Sequence, residues 1–438
     1  MSVPQEKTAE AVAFVDTMNH DGQGVARLDG KIVFIDGALP QETVRFIYRR
    51  KGKDYDTGQA TAILHPSPFR QDPPCPHFGR CGGCSLQHLD PYAQVAIKER
   101  LFEENLKKIA QLKAEEMLFP IYGPYYHYRH RARLSVRFLE KKNKLLLGFH
   151  EKASSFVLDM HTCKVLAEPV AHILDDLKHF LDGLAIKKKL PQIEVAVAEN
   201  ATVLVARLLE TPSEEDQQLF KAFANRHKIV WYFQPKGPDS VYPFYPAEVS
   251  RLFYTLPDFG LKLYFSPTDF TQVNFAVNRI LVRLAIQLLD ISPKDRIADL
   301  FCGLGNFSLA AAKQGAYVIG FEGSAVLVKR AKENARENHL DRSEFYSKDL
   351  TMPDPELLDF LSTVNKVVID PPRTGAIEII KALPDNIKTV VYISCNPATF
   401  ARDASFLVNS QGFTLRKTGM INLFPHTNHV ESIALLTR

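Results

Sequence analysis

From about residue 266 onward the chain alternates apolar runs of strand length with amphipathic runs of helix length, and this pattern constrains the fold more than any other feature. RIADLF is followed by NFSLAAAKQG, YVIGFE by SAVLVKRAKENARENH, and VVYIS by TFARDASFLVNSQG, with KVVID between the last two pairs. Alternating strand and helix predicts a doubly wound, mostly parallel sheet of Rossmann-like form, whose ligands sit beyond the carboxyl ends of its strands. The chemistry is therefore expected in the loops that leave those strands.

At 438 residues the chain is too long for that one domain; at roughly 150 residues per domain, two to four are expected. Residues 1–68 read as short strands separated by glycine turns, with Asp29-Gly30 a two-residue hairpin turn, and predict a small OB-like β-barrel. The proline-rich HPSPFRQDPPCP ends it. Residues 69–265 predict a central α+β domain, with a helix from Asp90 to about Lys113 (Phe102, Leu106, Ile109 and Ala110 on one face) and strand-like segments after it. IEVAVAEN and ATVLVARLLE read as two of these strands, turning near Asn200. Residues 266–438 form the doubly wound domain, giving a multidomain α/β chain. No run approaches the roughly 18 apolar residues of a membrane span. Glu6, Lys7 and Glu10 occupy the place of a signal peptide's apolar core, so the expected location is the cytoplasm. Thiols stay reduced there, which leaves metal binding, nucleophilic catalysis or burial for the six cysteines.

The net charge of +4 names no partner, but the charges are uneven. Arg129, Arg131, Arg133 and Arg137 take odd positions while Ala132, Leu134, Val136 and Phe138 take even ones, so a strand here has a basic face and an apolar face. A solvated face usually mixes both signs, and polyanion binding is the preferred reading of these arginines.

Three constellations carry chemistry. Cys75, Cys81 and Cys84 fall within ten residues, with Cys163 a fourth candidate. They suit a [4Fe-4S] cluster or zinc, the latter with His77 or His88 in reserve, and spacing does not choose between them. In Asp299-Leu-Phe301-Cys302-Gly303-Leu-Gly305-Asn306, two glycines let backbone approach a ligand at a helix start, and Glu322 at the end of the next strand is placed to grip ribose hydroxyls. Ser308 replaces the third glycine of a dinucleotide fingerprint, which disfavours a pyrophosphate cofactor and favours S-adenosylmethionine. Asp349, after the following strand, meets the adenine side or serves as a loop carboxylate. In Ser394-Cys395-Asn396-Pro397 a thiol sits at a strand's carboxyl end beside a helix start, which is expected to strengthen its thiolate. Cys395 is thus the first candidate nucleophile, with Cys302 a packing residue. Asp370 in DPPR and Glu431 in FPHTNHVES offer carboxylates to it.

Together, CPHFGRCGGC, SPTDFTQVN, DLFCGLGNF, DPPRTGA, SCNPATFARD and FPHTNHVES resemble the bacterial RNA uracil-C5 methyltransferases over nearly the whole chain and in the family's order. The likeness is to the 23S ribosomal RNA branch, which carries an N-terminal TRAM barrel and an iron-sulfur cluster; the tRNA branch typically lacks both. The resemblance implies [4Fe-4S] ligands at Cys75, Cys81, Cys84 and Cys163. It also implies S-adenosylmethionine contacts at Gln272, Phe301, Asn306, Glu322, Asp349 and Asp370, a nucleophile at Cys395 and a base at Glu431. The same likeness implies a 23S rRNA substrate, with uracil 1939 the expected position; a monomer is expected, and the lack of long apolar runs leaves no membrane partner. The rivals are a tRNA methyltransferase, methylation of another 23S uracil, an NAD-dependent oxidoreductase and a non-catalytic RNA-binding protein.

Overall fold

In the computed structural model, residues 10–438 are described; the start of the barrel region, with Glu6 and Lys7, lies outside the described residues. The chain forms two compact units, one of residues 10–101 with 151–154 and 424–428, the other of 102–150, 155–423 and 429–438. Among the described residues no helix is long and apolar enough to cross a membrane.

In the first unit β1 (Glu10–Met18), β2 (Gly24–Leu28), β3 (Lys31–Asp36), β4 (Thr43–Lys51) and β5 (Tyr55–His65) close into a barrel in the order β1-β2-β3-β5-β4. Asp29 and Gly30 both have positive φ (50° and 80°), as a two-residue hairpin turn requires. Val15, Val33, Ile35, Val44 and Phe46 fill the core at alternate positions along their strands. Gly58 is needed because a Cβ there would come within 2.5 Å of the Phe46 ring. The helix Pro91–Asn105 follows and passes into a π-helical turn, Leu106–Ala110. That wider turn shifts the phase of the predicted face: Phe102, Leu106 and Ala110 are buried, but Ile109 is exposed.

The second unit holds two sheets. After the short β6 (Glu116–Met117), the strands β7 (Arg131–Leu139), β8 (Lys144–Gly148), β9 (Gln192–Val197), β10 (Thr202–Arg207), β11 (Ile229–Gln234) and β12 (Tyr242–Tyr245) form a sheet in the order β12-β11-β10-β9-β7-β8. The two strands expected on either side of Asn200 are β9 and β10, and they pair antiparallel. Two helices, Leu174–Gly183 and Glu214–His227, were not legible as such in the sequence. They join this sheet through aromatic packing of Phe180 and Phe220 on Trp231.

The hairpin β13 (Leu252–Leu256) and β14 (Leu261–Phe265) leads to β15 (Arg296–Leu300), β16 (Tyr317–Glu322), β17 (Ser343–Ser347), β18 (Lys366–Ile369), β19 (Thr389–Ser394), β20 (Thr414–Ile421) and β21 (Glu431–Thr437). The sheet order is β17-β16-β15-β18-β19-β21-β20-β6, with β15 to β19 parallel to one another and β21 antiparallel to both its neighbours. The strand order reverses at β15, so a crevice opens between the carboxyl ends of β15 and β18. Because β21 runs the other way, its first residue, Glu431, lies at those same ends, and Ser432 pairs with Ser394.

Candidate active site at the carboxyl ends of the sheet

The loop after β15 turns through left-handed backbone at Phe301, Gly303 and Gly305 (φ 67°, 55° and 98°). Glu322, at the end of β16, accepts from the Gly303 amide (3.2 Å) and the Ser324 amide (2.9 Å), so one carboxylate ties the glycine loop to the start of the next helix. A cleft of about 420 Å³ opens beside it, lined by Phe301, Glu322, Gly323, Lys348, Asp349 and Thr351 among others. Asp349 serves its own turn as well, accepting from the amide (2.9 Å) and hydroxyl (2.6 Å) of Thr351.

Asn306 is gripped from a distance in sequence: its amide pairs reciprocally with that of Asn278 (3.0 and 2.9 Å) and accepts from the Tyr254 hydroxyl (2.9 Å). Tyr254 and Asn278 were missed in the sequence, where the only signal was an amide on the otherwise apolar face of the helix Phe275–Leu289. Ser308 bonds the Asp299 carboxylate with its hydroxyl, a role no glycine would fill. Gln272 is half-buried in the loop that ends at Asn274. Asp269 secures that loop by accepting from the Ser266 amide (2.7 Å) and Arg330 (3.0 Å).

Asp299 and Asp370 end adjacent strands, and burial raises both carboxyls to about 7; for Asp299 the neighbouring Asp370 and Glu322 add to the push. Asp299 Oδ1 is buried without a partner. Such groups suit a site awaiting a ligand better than a finished core.

Cys395 lies half-buried just past β19. The helix-start setting was expected to strengthen its thiolate, and the structure corrects this: burial pushes the thiol up to about 11, the Glu431 and Asp370 carboxylates add to the push, and the Arg373 guanidinium and a backbone hydrogen bond oppose it. Arg373 in turn contacts His429 (2.8 Å). Cys302 is buried and its thiol is pushed well up by burial.

In the other unit, Cys75 and Cys81 are buried and Cys84 half-buried. The Cys75 amide donates to Gln87 (3.2 Å) and the Gly83 amide to the Cys81 sulfur (3.4 Å). Cys163, in the second unit, is also buried. The donor set suits soft-metal or cluster chemistry, but among the described residues no group of three or more His, Cys, Asp or Glu side chains converges on a metal position.

The basic strand is not uniform. Arg133 and Arg137 of β7 are exposed, Arg133 pairing with Glu194 (3.0 Å). Arg131, expected on the same solvated face, instead has Nη1 buried without a partner, and burial lowers its pKa. Arg129 lies outside the strand and donates to the Arg131 carbonyl (3.0 Å).

Comparison with known proteins now adds to this geometry. The TRAM domain profile matches residues 12–45 and the tRNA (Uracil-5-)-methyltransferase profile residues 258–438. The 23S rRNA (uracil(1939)-C(5))-methyltransferase RlmD of Thiobacillus denitrificans is 50% identical, covering 96% of this chain and 98% of its own. The chain belongs to this family. The RlmD of Chromobacterium violaceum is 46% identical, over 97% of this chain and 84% of its own. Family membership makes the protein an RNA uracil-C5 methyltransferase, as the sequence motifs implied. The fold agrees: Pyrococcus abyssi tRNA (uracil-54, C5)-methyltransferase, solved with S-adenosyl-L-homocysteine, shares it with a TM-score of 0.73 at 22% identity, covering 97% of this chain and 99% of that one.

Proposed function

We infer that this protein, acting in the cytoplasm as a monomer, transfers a methyl group from S-adenosylmethionine to C5 of uracil 1939 in 23S rRNA, the position named for its relatives. The observation that carries the reading is the reversed β21, which puts Glu431 at the same sheet end as Cys395 and close enough to act on its thiol.

Gln272, Phe301, Asn306, Glu322, Asp349 and Asp370 hold the cofactor, with Glu322 on the ribose and Asp349 toward the adenine. Bound there, S-adenosylmethionine supplies an electrophilic methyl group. Uracil C5 is too weak a nucleophile to take it unaided. Cys395 adds as thiolate to C6, which moves electron density onto O4 and C5 and lets C5 bond to the methyl carbon as the sulfonium–methyl bond breaks and S-adenosylhomocysteine leaves. Glu431 then removes the C5 proton, and the C6–sulfur bond breaks to restore the ring double bond. The resting thiol's high pKa fits a nucleophile that ionises only as substrate arrives, with Arg373 favouring the thiolate. The barrel (1–68) and the central region (69–265) hold a splayed RNA segment, with Arg129, Arg133 and Arg137 along its phosphates and Arg131 supporting the strand from within.

The test is Glu431→Gln with a radiolabelled RNA fragment on a denaturing gel. Addition and methylation proceed without the base, so a covalent adduct carrying the methyl mark accumulates and disappears in the Cys395→Ala, Glu431→Gln double variant. Normal turnover by Glu431→Gln would move the base to another residue, Asp370 first.

A [4Fe-4S] cluster on Cys75, Cys81, Cys84 and Cys163 is part of the same proposal, supported by three cysteines within ten residues and the soft-donor chemistry of the set. Anaerobically purified protein is then brown, and Cys81→Ala loses the colour. Colourless protein with stoichiometric zinc would replace iron by zinc.

A further inference from the structure

The segment after Cys395 continues to an aspartate that the reaction leaves without a role, Asp403. It is fully buried in the helix Pro397–Gln411. One of its oxygens, Oδ2, accepts from the Tyr392 hydroxyl on β19 (2.7 Å) and from the Ala376 amide in the loop after β18 (2.7 Å). Its Oδ1 accepts from Arg402 (2.8 Å), whose other nitrogen donates to the Thr374 carbonyl (2.9 Å). Two further bonds converge on the same loop: Asn396 and Thr399 side chains both donate to the Arg373 carbonyl (3.2 and 3.3 Å). Gly375 lies under this clamp with φ 80°, and a Cβ there would come within 2.5 Å of the Arg402 guanidinium and 2.6 Å of the Asp403 carboxylate.

We propose that Asp403 is a positioning residue for methyl transfer: its carboxylate locks the loop that carries Arg373 against the turn that carries Cys395. The proposal rests on Cys395 being the nucleophile. A buried carboxylate is costly unless its oxygens are bonded, and here they take the Tyr392 hydroxyl of β19, the Ala376 amide of the loop that carries Arg373, and Arg402, which itself bonds Thr374 of that loop. Three charged groups face Cys395: Glu431 from β21, Asp370 from the end of β18, and Arg373 from the clamped loop. Asp370 and Glu431 are held at strand ends, whereas Arg373 is held through its backbone by the clamp, with its guanidinium resting on His429. Loosening the clamp therefore withdraws the one cation and leaves both anions in place.

The experiment uses full-length protein with Asp403→Ala, Asp403→Asn, Tyr392→Phe and Gly375→Ala. Two quantities are read: steady-state methylation of an RNA fragment, and the pH dependence of iodoacetamide alkylation at Cys395, followed by peptide mass spectrometry. In Asp403→Ala and Gly375→Ala, kcat falls roughly tenfold to hundredfold while KM for RNA and cofactor stays within about threefold. The alkylation midpoint rises by about half a pH unit as Arg373 moves away. Asp403→Asn, which keeps an acceptor, recovers part of both. Folded variants with an unchanged alkylation midpoint would overturn the proposal, since a merely structural aspartate would lower stability without moving it. Should Asp403→Ala not fold, Gly375→Ala and Tyr392→Phe decide, because they strain or weaken the same clamp without removing the charge. Failure of the underlying reading is separable: wild-type protein that still methylates after complete alkylation of Cys395 has another nucleophile.

Discussion

Cys302 follows β15 and Cys395 follows β19, so each stands at the carboxyl end of a parallel strand shortly before a helix. Their surroundings differ. Cys302 is 3% exposed, its amide donates to the Phe321 carbonyl (3.0 Å), and a Cβ on Gly320 would approach its sulfur to 2.9 Å. It is wedged between strands with Asp299 and Glu322 pushing its thiol further up. Cys395 is half-buried, and Arg373 opposes the carboxylates that face it. A strand end delivers a thiol to the crevice, but solvent access and a nearby cation decide whether it can become a nucleophile.

The largest expected effect separates the two. Cys395→Ala should reduce methylation by roughly 10⁴-fold or more, with no covalent RNA adduct, whereas Cys302→Ala should stay within about threefold. Single-turnover assays on both variants make the comparison. An adduct through Cys302 would reverse it.

A second effect sharpens the contrast through Asp370, which faces Cys395 and is not among the groups acting on Cys302. Its carboxyl is raised from 3.8 to about 7 by burial. A raised folded-state pKa means that the stabilising protonated form is complete below about pH 4 and is lost as pH rises through about 7. Asp370→Asn should therefore be more stable than wild type at pH 8, by on the order of 2 to 4 kcal/mol, and the gap should close near pH 4. Methylation should fall about a hundredfold in the same variant. Thermal melts across that pH range check the sign. A variant less stable than wild type at pH 8 would show that the ionised carboxylate is supported by the fold.

The same contrast marks what the sequence could reveal. The βαβ alternation and the Asp29-Gly30 turn gave the layers because they depend on local periodicity and backbone freedom. Cys395 and Glu431 could be singled out by residue type at strand ends. The grip of Tyr254 and Asn278 on Asn306 could not, because it links positions separated by 52 and 28 residues. Nor could the high pKa of Cys395, which depends first on its burial and then on a carboxylate delivered by the reversed strand β21. Ile109 escaped the predicted face because a π-turn breaks the 3.6-residue period on which that prediction rests. Position in sequence fixes which element carries a side chain, while the groups opposite it fix what it does.

The smallest expected effect carries that lesson to β7, where Arg131 and Arg137 have the same parity on one strand. Arg137 is exposed and, among the described residues, forms no ion pair; Arg131 has a buried nitrogen and feels Glu194 and Asp269. If Arg137 tracks phosphate, Arg137→Ala weakens RNA binding a few-fold and lowers the salt slope by about one unit or less, because one fewer counterion is released. Arg131→Ala should leave that slope unchanged and alter thermal stability instead, since its charge meets protein carboxylates rather than RNA. Binding isotherms at several salt concentrations, set beside melting curves, distinguish the two. Equal changes of slope would mean that Arg131 turns outward when RNA is bound, so that its burial in the free protein is not its working state.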